Sequence, residues 1–200
     1  MHLNSSISAL SFFVAIVFSA CNSSTSPKSS ALPDSGKVLE PITAEQIDRT
    51  PDSNLVFMVY EHIAQGLPED PNQELAYILS LPKPRQAVYV IGLLEAEVNN
   101  GGFNQFYYNP SGKFAELAPN ALKSVGAHQF AALTAAANKV YKNNMEHITK
   151  HQDGTIEGFS KSYEDNPLEK FDDQYYQLKE PLGQLQIEFI RKNKQAFIIP

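Results

Sequence analysis

A chain of 200 residues that is 42% hydrophobic and 19% charged can form one globular core without disulfides, because a chain of this size buries about two-thirds of its unfolded surface. Its 16 basic and 22 acidic residues give a net charge of −6. A general nucleic-acid binder, or a protein that adsorbs to anionic lipid, needs a concentrated positive field, so the composition argues against both. We therefore expect no direct binding of nucleic acid.

The N-terminus is predicted to be a bacterial lipoprotein signal peptide that ends at the single cysteine. Residues 9–20 are apolar, too short to span a bilayer comfortably, and directly precede Cys21. Ser19 and Ala20 resemble the small residues of the lipobox, in which the thiol is lipidated and becomes the first mature residue. Phe18 stands where that motif prefers leucine, and no lysine or arginine precedes the apolar run. The alternative is a buried N-terminal helix with an inert thiol.

A flexible tether is predicted after the cysteine. Residues 22–36 are dominated by serine, with proline, glycine and asparagine, a composition that cannot bury enough apolar area to offset the entropy of ordering. We therefore divide the chain into a signal peptide (1–20), a tether (21–37) and a folded domain (38–200). A lipid at Cys21 would anchor the domain in the cell envelope, in the periplasm or on the outer surface; without that signal the protein would be cytoplasmic.

The folded part is predicted to be an all-α bundle, because its apolar residues recur at helical spacing and no run alternates as a half-buried strand does. The first predicted helix begins near Asp52 and ends at Gly66. A short second helix covers residues 72–81, and the prolines that follow end it. The third, residues 85–99, is apolar over so wide an arc that we expect it to be the central helix.

Three further helices are predicted in the C-terminal half. An apolar stripe over residues 114–125 contains Pro119, which a helix tolerates in its first turn or at a kink. An alanine-rich helix covers residues 128–141. The closing helix covers residues 180–197 and ends in cations that suit the helix dipole, namely Arg191, Lys192 and Lys194.

The stretch EAEVNNGGFNQFYYNPSG, residues 95–112, predicts a helix that stops at Gly101 and Gly102 and restarts almost at once. We expect three rings of the restarted helix to pack against the central helix, namely Phe103, Phe106 and Tyr107. We expect Asn104 and Gln105 to face elsewhere, and the turn signal from Asn109 to Gly112 to end the segment.

Glu95 is the carboxylate that we expect to hold this corner. It lies at the margin of the apolar stripe, whereas Glu97 falls on another side of the helix. The unpaired amide hydrogens at the start of the next helix are its natural partners. The alternatives are a contact to a ligand or partner, and a catalytic acid or base, for which the stretch offers no nearby histidine or nucleophile.

The same stretch resembles the bacterial family named for DNA mimic protein 19, specifically its C-terminal domain, catalogued as a domain of unknown function. The motif residues are Glu97, Asn99, Asn100, Gly101, Gly102, Phe103, Gln105, Phe106, Tyr107 and Asn109. Later strings, ALKSVGA and EFIRKN, extend the similarity to roughly residues 52–197. The resemblance implies a compact all-helical domain, and the family name implies an acidic surface that imitates duplex phosphates and occupies DNA-binding proteins.

The acidic residues needed for mimicry are concentrated near the C-terminus. Residues 153–180 contain eight acidic and three basic side chains, a net charge of −5. Duplex DNA carries about one charge per 1.7 Å of its axis, so an imitation needs dense rows of carboxylates. The candidate patch consists of Asp153, Glu157, Glu164, Asp165, Glu169, Asp172 and Asp173. The alternative is an ordinary solvated face.

The leading hypothesis is a non-enzymatic module of an envelope lipoprotein that binds another protein, since DNA-binding regulators are absent from the envelope. Rings near the corner would line a groove for that partner, namely Phe103, Phe106, Tyr107 and Tyr108. The alternative is a cytosolic DNA mimic that sequesters a DNA-binding regulator. His147 and His151 stand four residues apart, but no third metal ligand is evident, and we expect neither metal nor cofactor.

Overall fold

The computed structural model describes residues 39–164 and 166–198, and within these ranges the chain is helical without a strand, which confirms the predicted all-α class. The signal peptide, the tether, Cys21 and Asp165 lie outside the described residues. Helices α1 to α10 span Ala44–Arg49, Asp52–Gln65, Glu74–Ser80, Lys83–Tyr108, Ala118–Ser124, His128–Asn143, Met145–Thr149, Ile156–Lys161, Glu169–Gln177 and Leu182–Lys192. Short 3₁₀ turns occupy Pro71–Gln73, Pro110–Phe114 and Lys194–Ala196. Among the helices of the described residues, none combines the length and the apolar composition that a membrane span requires.

The helices predicted from periodicity are present, and prolines set several of their limits. Pro51 precedes α2, Pro82 is the N-cap of α4, and Pro119 lies in the first turn of α5. Pro181 precedes α10 and delays its start to Leu182, two residues later than predicted.

Four short helices were not predicted: α1, α7, α8 and α9. They have five to nine residues, too few for a periodic apolar pattern to identify them. Side-chain caps begin two of them: Thr43 forms a capping box with Gln46 before α1, and Thr155 accepts a hydrogen bond from the backbone N–H of Gly158 before α8.

The first part of α4 is the central helix, as predicted. Val88, Ile91, Leu94 and Val98 are completely buried in one continuous core. Helices α2, α3, α5 and α9 all pack against α4, and α10 packs against α2. Burial on several sides explains why the apolar arc of α4 is wider than the stripe of a surface helix.

Helix α10 ends at Lys192, and Arg191 in its last turn and Lys194 just after it bond groups of the N-terminal part of the domain. Arg191 donates from Nη1 to the carbonyl oxygen of Ile47 at 2.8 Å and from Nη2 to that of Thr50 at 3.1 Å. Its Nη2 also bonds the carboxylate of Asp52, and Lys194 bonds that of Asp48. The closing helix therefore supplies donors to the unpaired carbonyls at the end of α1.

Candidate functional site

The double-glycine corner divides α4 into two helical parts, as predicted. Gly101 (φ −155°, ψ 25°) and Gly102 (φ 73°, ψ −175°) have non-helical backbone angles, and the helix continues from Phe103 to Tyr108. The positive φ of Gly102 lies in a region that essentially only glycine occupies. Gly101 is needed for space, since a Cβ there would lie 2.3 Å from the Gln105 side-chain oxygen.

Glu97 is the centre of the family motif. Its carboxylate accepts hydrogen bonds from Gln105 Nε2 at 2.7 Å, from Asn109 Nδ2 at 2.8 Å and from Ser111 Oγ at 2.8 Å. The side-chain oxygen of Gln105 in turn accepts from Asn100 Nδ2 at 2.9 Å. One carboxylate thus ties the helix before the corner to the helix and the turn after it. We call this set of five side chains the Glu97 brace.

The motif therefore serves the shape of the corner. Its amides bond the Glu97 carboxylate or one another, and its glycines provide the backbone angles and the space. Asn99 is exposed and takes no part in the brace. Ser111 completes the brace, a role that was not predicted from the sequence. Serine is common in turns, and the predicted turn at residues 109–112 already accounted for its presence.

The rings of the corner belong to the core, so the expectation that they line a groove is wrong. Phe103 and Phe106 are completely buried, and Tyr107 and Tyr108 are 2% and 7% exposed. Tyr107 stacks on Tyr141 with 4.2 Å between ring centroids. Tyr107 does reach the wall of a pocket of about 430 Å³, but its hydroxyl bonds Asn138 inside the core.

Asn104 and Gln105 do not face away from the core, contrary to expectation. Asn104 is completely buried and donates from Nδ2 to Ser162 Oγ at 2.8 Å, which joins α4 to the end of α8. Gln105 is 7% exposed and belongs to the Glu97 brace. The NH₂ groups of both amides therefore have partners in the protein, whereas the buried Oδ1 of Asn104 has no hydrogen-bond partner among the described residues.

Helix α9 and the chain before it hold the corner from outside. The carboxylate of Asp172 accepts the backbone N–H of Phe103 at 2.7 Å, at the start of the second part of α4. Tyr176 donates its hydroxyl to the carbonyl oxygen of Val98 at 2.8 Å, and Tyr163 donates to that of Gly101 at 2.7 Å. We call Asp172, Tyr176 and Tyr163 the α9 clasp. It satisfies backbone groups on both sides of the helix break.

Glu95 does not make the contact predicted for it; Asp172 does. Glu95 is turned toward α10, where it accepts a hydrogen bond from Gln186 Nε2 at 2.8 Å. Burial raises the pKa of Glu95, and the bond from Gln186 opposes that shift. Sequence spacing placed Glu95 beside the corner, but the side of α4 on which it lies faces the closing helix.

Asp172 is a half-buried carboxyl in an acidic setting. Burial is the main cause that raises its pKa to about 6, the hydrogen bond from Phe103 opposes this, and the neighbouring Asp173 and Glu169 add to it. This raised pKa belongs to a carboxyl that accepts a hydrogen bond from backbone, so Asp172 ties α9 to the corner.

The predicted acidic patch is not one continuous row of free carboxylates. Asp153 bonds the N–H and hydroxyl of Thr155, and Glu157 pairs with Lys161 at 2.6 Å. Asp172 belongs to the α9 clasp, where it bonds the backbone N–H of Phe103. Farther along, Glu180 accepts the N–H groups of Gln129 and Phe130 and caps α6. Of the patch members that the structure describes, Glu164, Glu169 and Asp173 are exposed, and their carboxylates make no hydrogen bond or ion pair with another described residue.

The histidine pair does not lie on one helix. Helix α7 ends at Thr149, before His151. His147 faces Lys150, with 3.5 Å between Nδ1 and Nζ. In the part of the chain that the structure describes, no three histidine, cysteine or acidic side chains are grouped as metal ligands.

An exposed face remains over the corner. Glu169, Asp173 and Tyr176 follow one another at steps of four and three along α9 and are exposed, and Tyr163 lies beside the same corner. We call these four residues the corner face. A proline disfavours a helix that runs through it, and α9 begins at Glu169, two residues after Pro167.

Comparison with protein-family models agrees with the resemblance carried by the motif. No curated protein sequence matches the chain. A family model described as DMP19-like protein matches residues 79–193, more than half of the chain, and this range includes the Glu97 brace, the double-glycine corner and the α9 clasp. The predicted resemblance is confirmed: the chain belongs to the DMP19-like protein family.

Proposed function

We propose that the domain is a non-enzymatic protein-interaction module of a bacterial envelope lipoprotein and that it binds its partner through the corner face. The observation that carries this proposal is the internal bonding of the family motif. Because the polar side chains of the Glu97 brace bond one another, the motif shapes a surface instead of presenting reactive groups. Membership of a DMP19-like family, named after a DNA mimic, favours a protein partner over nucleic acid.

The corner face has the composition of a recognition surface. Tyr163 and Tyr176 are 37% and 57% exposed, and their hydroxyls are already bonded to backbone carbonyls. Tyrosine is enriched in protein interfaces, and rings that are fixed before binding lose little entropy on association. Glu169 and Asp173 are exposed negative charges on the same helix as Tyr176, seven and three residues before it. A basic partner segment complements this face.

Envelope attachment rests on the N-terminal sequence. The apolar run before Cys21 and the serine-rich tether after it favour a lipid anchor. The tether would separate the folded domain from the membrane surface. Growth with radiolabelled fatty acid is expected to label the wild-type protein and to leave Cys21→Ala unlabelled. A wild-type protein without label, recovered from the cytosol, would overturn the anchor.

The corner face is tested by charge reversal in the full-length protein. Glu169→Lys combined with Asp173→Lys is expected to weaken partner binding at least about tenfold, because each like-charge contact opposes a basic partner. The matched control, Glu45→Lys with Glu188→Lys, makes the same change of charge on exposed residues of α1 and α10. Cross-linking in solubilised envelopes with quantitative mass spectrometry identifies the partner, and titration of that partner measures the loss.

The outcome for each variant decides the proposal. A corner-face variant that retains the partner at the wild-type level contradicts the assigned surface. Equal loss in both variants would indicate dependence on net charge alone.

DNA mimicry is the second candidate function, and the net charge of −5 over residues 153–180 favours it. The internal use of Asp172 and Glu180 weighs against it, because those carboxylates cap helices of the same domain. Mimicry requires that the partner identified by cross-linking be a DNA-binding protein. It also requires that duplex DNA compete with the domain for binding to that partner. A partner indifferent to DNA would exclude this function.

A further inference from the structure

The double-glycine corner is a point where the fold can open. Gly101 and Gly102 interrupt the hydrogen bonding of α4, and the backbone groups released there are bonded by the three side chains of the α9 clasp. Both Asp172 and Tyr176 lie on a helix of nine residues, which is too short to be stable without its packing. The clasp and α9 therefore hold or release the corner together.

Asp172 is the member of the clasp whose charge can change near neutral pH. Its carboxylate lies so close over Gly102 that a Cβ on that glycine would meet Asp172 Oδ2 at 2.2 Å. The charged side chains that shift its pKa, Glu169 and Asp173, are both acidic and lie on α9 itself. When Asp172 ionises in this place, it becomes a third neighbouring negative charge and remains half removed from water.

Within residues 39–164 and 166–198, no basic side chain is among the groups that shift the pKa of Asp172. Helix α4 presents the N–H of Phe103 to Asp172, and Glu95 of α4 acts on Tyr175 of α9. The chain after α8 presents Tyr163, on which both Asp172 and Glu97 act as negative charges. Helix α6 presents the ring of Phe130, which contacts Tyr175.

We propose that the α9 clasp is a proton-sensitive latch, tight when Asp172 is protonated and looser when Asp172 is charged. A protonated carboxyl still accepts the Phe103 N–H through its carbonyl oxygen, although this bond is weaker than the bond to a carboxylate. The charge repulsion and the desolvation penalty of the carboxylate disappear on protonation, and these two effects outweigh the weaker bond because the pKa is raised. This proposal concerns the domain alone and does not depend on the identity of a partner.

The sign of the pH dependence follows from linkage. The pKa of Asp172 is about 6 in the closed clasp, above the ordinary value of 3.8 that an open, solvated carboxyl would have. The closed state therefore binds the proton more tightly. Its extra stability is fully present below the ordinary pKa and is lost as the pH rises through about 6.

Hydrogen–deuterium exchange of the full-length protein tests the latch at the amide of Phe103. After correction for the intrinsic pH dependence of exchange, protection is expected to fall by up to about tenfold between pH 5 and pH 7.5. Asp172→Asn keeps an acceptor without the charge and is expected to show protection that is high and independent of pH. The matched control, Asp173→Asn, changes an exposed neighbour and is expected to keep the wild-type pH dependence.

Two results would overturn the latch: protection of Phe103 in the wild type that does not change with pH, or an unchanged pH dependence in Asp172→Asn, which would assign it to another group such as Glu95. If Asp172→Asn does not fold, a ¹³C NMR titration of the Asp172 carboxyl in the wild type decides instead. An apparent pKa near 6 supports the latch, and one at or below the ordinary aspartate value refutes it.

Discussion

Gly102→Ala is expected to lower the free energy of unfolding by about 4 kcal/mol, a large part of the stability of a domain of this size. Two effects combine. Alanine at φ 73° is strained, which costs about 1–3 kcal/mol. Its Cβ would also lie 2.2 Å from Asp172 Oδ2, so Asp172 must move and leave the N–H of Phe103 unpaired, at about 1–3 kcal/mol more. Urea unfolding followed by far-UV circular dichroism measures the sum.

Two other glycines separate these effects. Gly154 has φ 78° and nothing within 4 Å of a built Cβ, so Gly154→Ala measures backbone strain alone, about 1–2 kcal/mol. Gly183 lies in α10 with open space and no positive φ, so Gly183→Ala is expected to stabilise the protein by about 0.5 kcal/mol. If Gly102→Ala loses no more stability than Gly154→Ala, Asp172 does not hold the corner as described.

The contrast between the corner and its clasp shows how far the sequence could be used to predict this domain. The glycines, the flanking amides and the turn at Asn109 are local features, and they predicted where α4 breaks and where it ends. The clasp joins Asp172 to Phe103 across 69 residues and Tyr176 to Val98 across 78. Periodicity within one segment contains no information on such a pairing, so the role of Asp172 was assigned to the nearer Glu95.

The burial of the corner rings has a similar cause. A run of four rings within six residues is compatible with an exposed groove or with a core, and the choice depends on what packs over it. Phe171 and Tyr175 of α9 cover Phe103, and Tyr141 of α6 covers Tyr107. Helix α9 was itself missed, because it has nine residues and follows a proline, so nothing in the sequence indicated a cover for the rings.

Glu97→Ala is expected to lower the free energy of unfolding by about 3 kcal/mol. The substitution removes the acceptor of three side-chain donors, and Gln105 and Ser111 are each only 7% exposed. A buried donor left without an acceptor costs about 1–3 kcal/mol, and Gln105 Nε2 is the donor left in this state. Ser111 can still donate to the carbonyl oxygen of Phe106 at 3.2 Å, and water can replace the acceptor at the partly buried Asn109. Glu97→Gln keeps one carbonyl oxygen and is expected to recover part of the loss. Urea unfolding measures both variants.

Glu97→Ala also shows whether the family motif serves structure or binding. The motif contains a residue outside the Glu97 brace, Asn99, and substitution of that residue serves as a control. Asn99→Ala is expected to leave stability unchanged, and Glu116→Ala, which breaks an exposed pair with Lys142, is expected to cost at most about 1 kcal/mol. If Glu97→Ala unfolded at the same urea concentration as these controls but lost its partner, Glu97 would be a contact residue. Loss of stability with partner binding retained in the folded variant identifies the carboxylate as a structural brace and not as a contact residue.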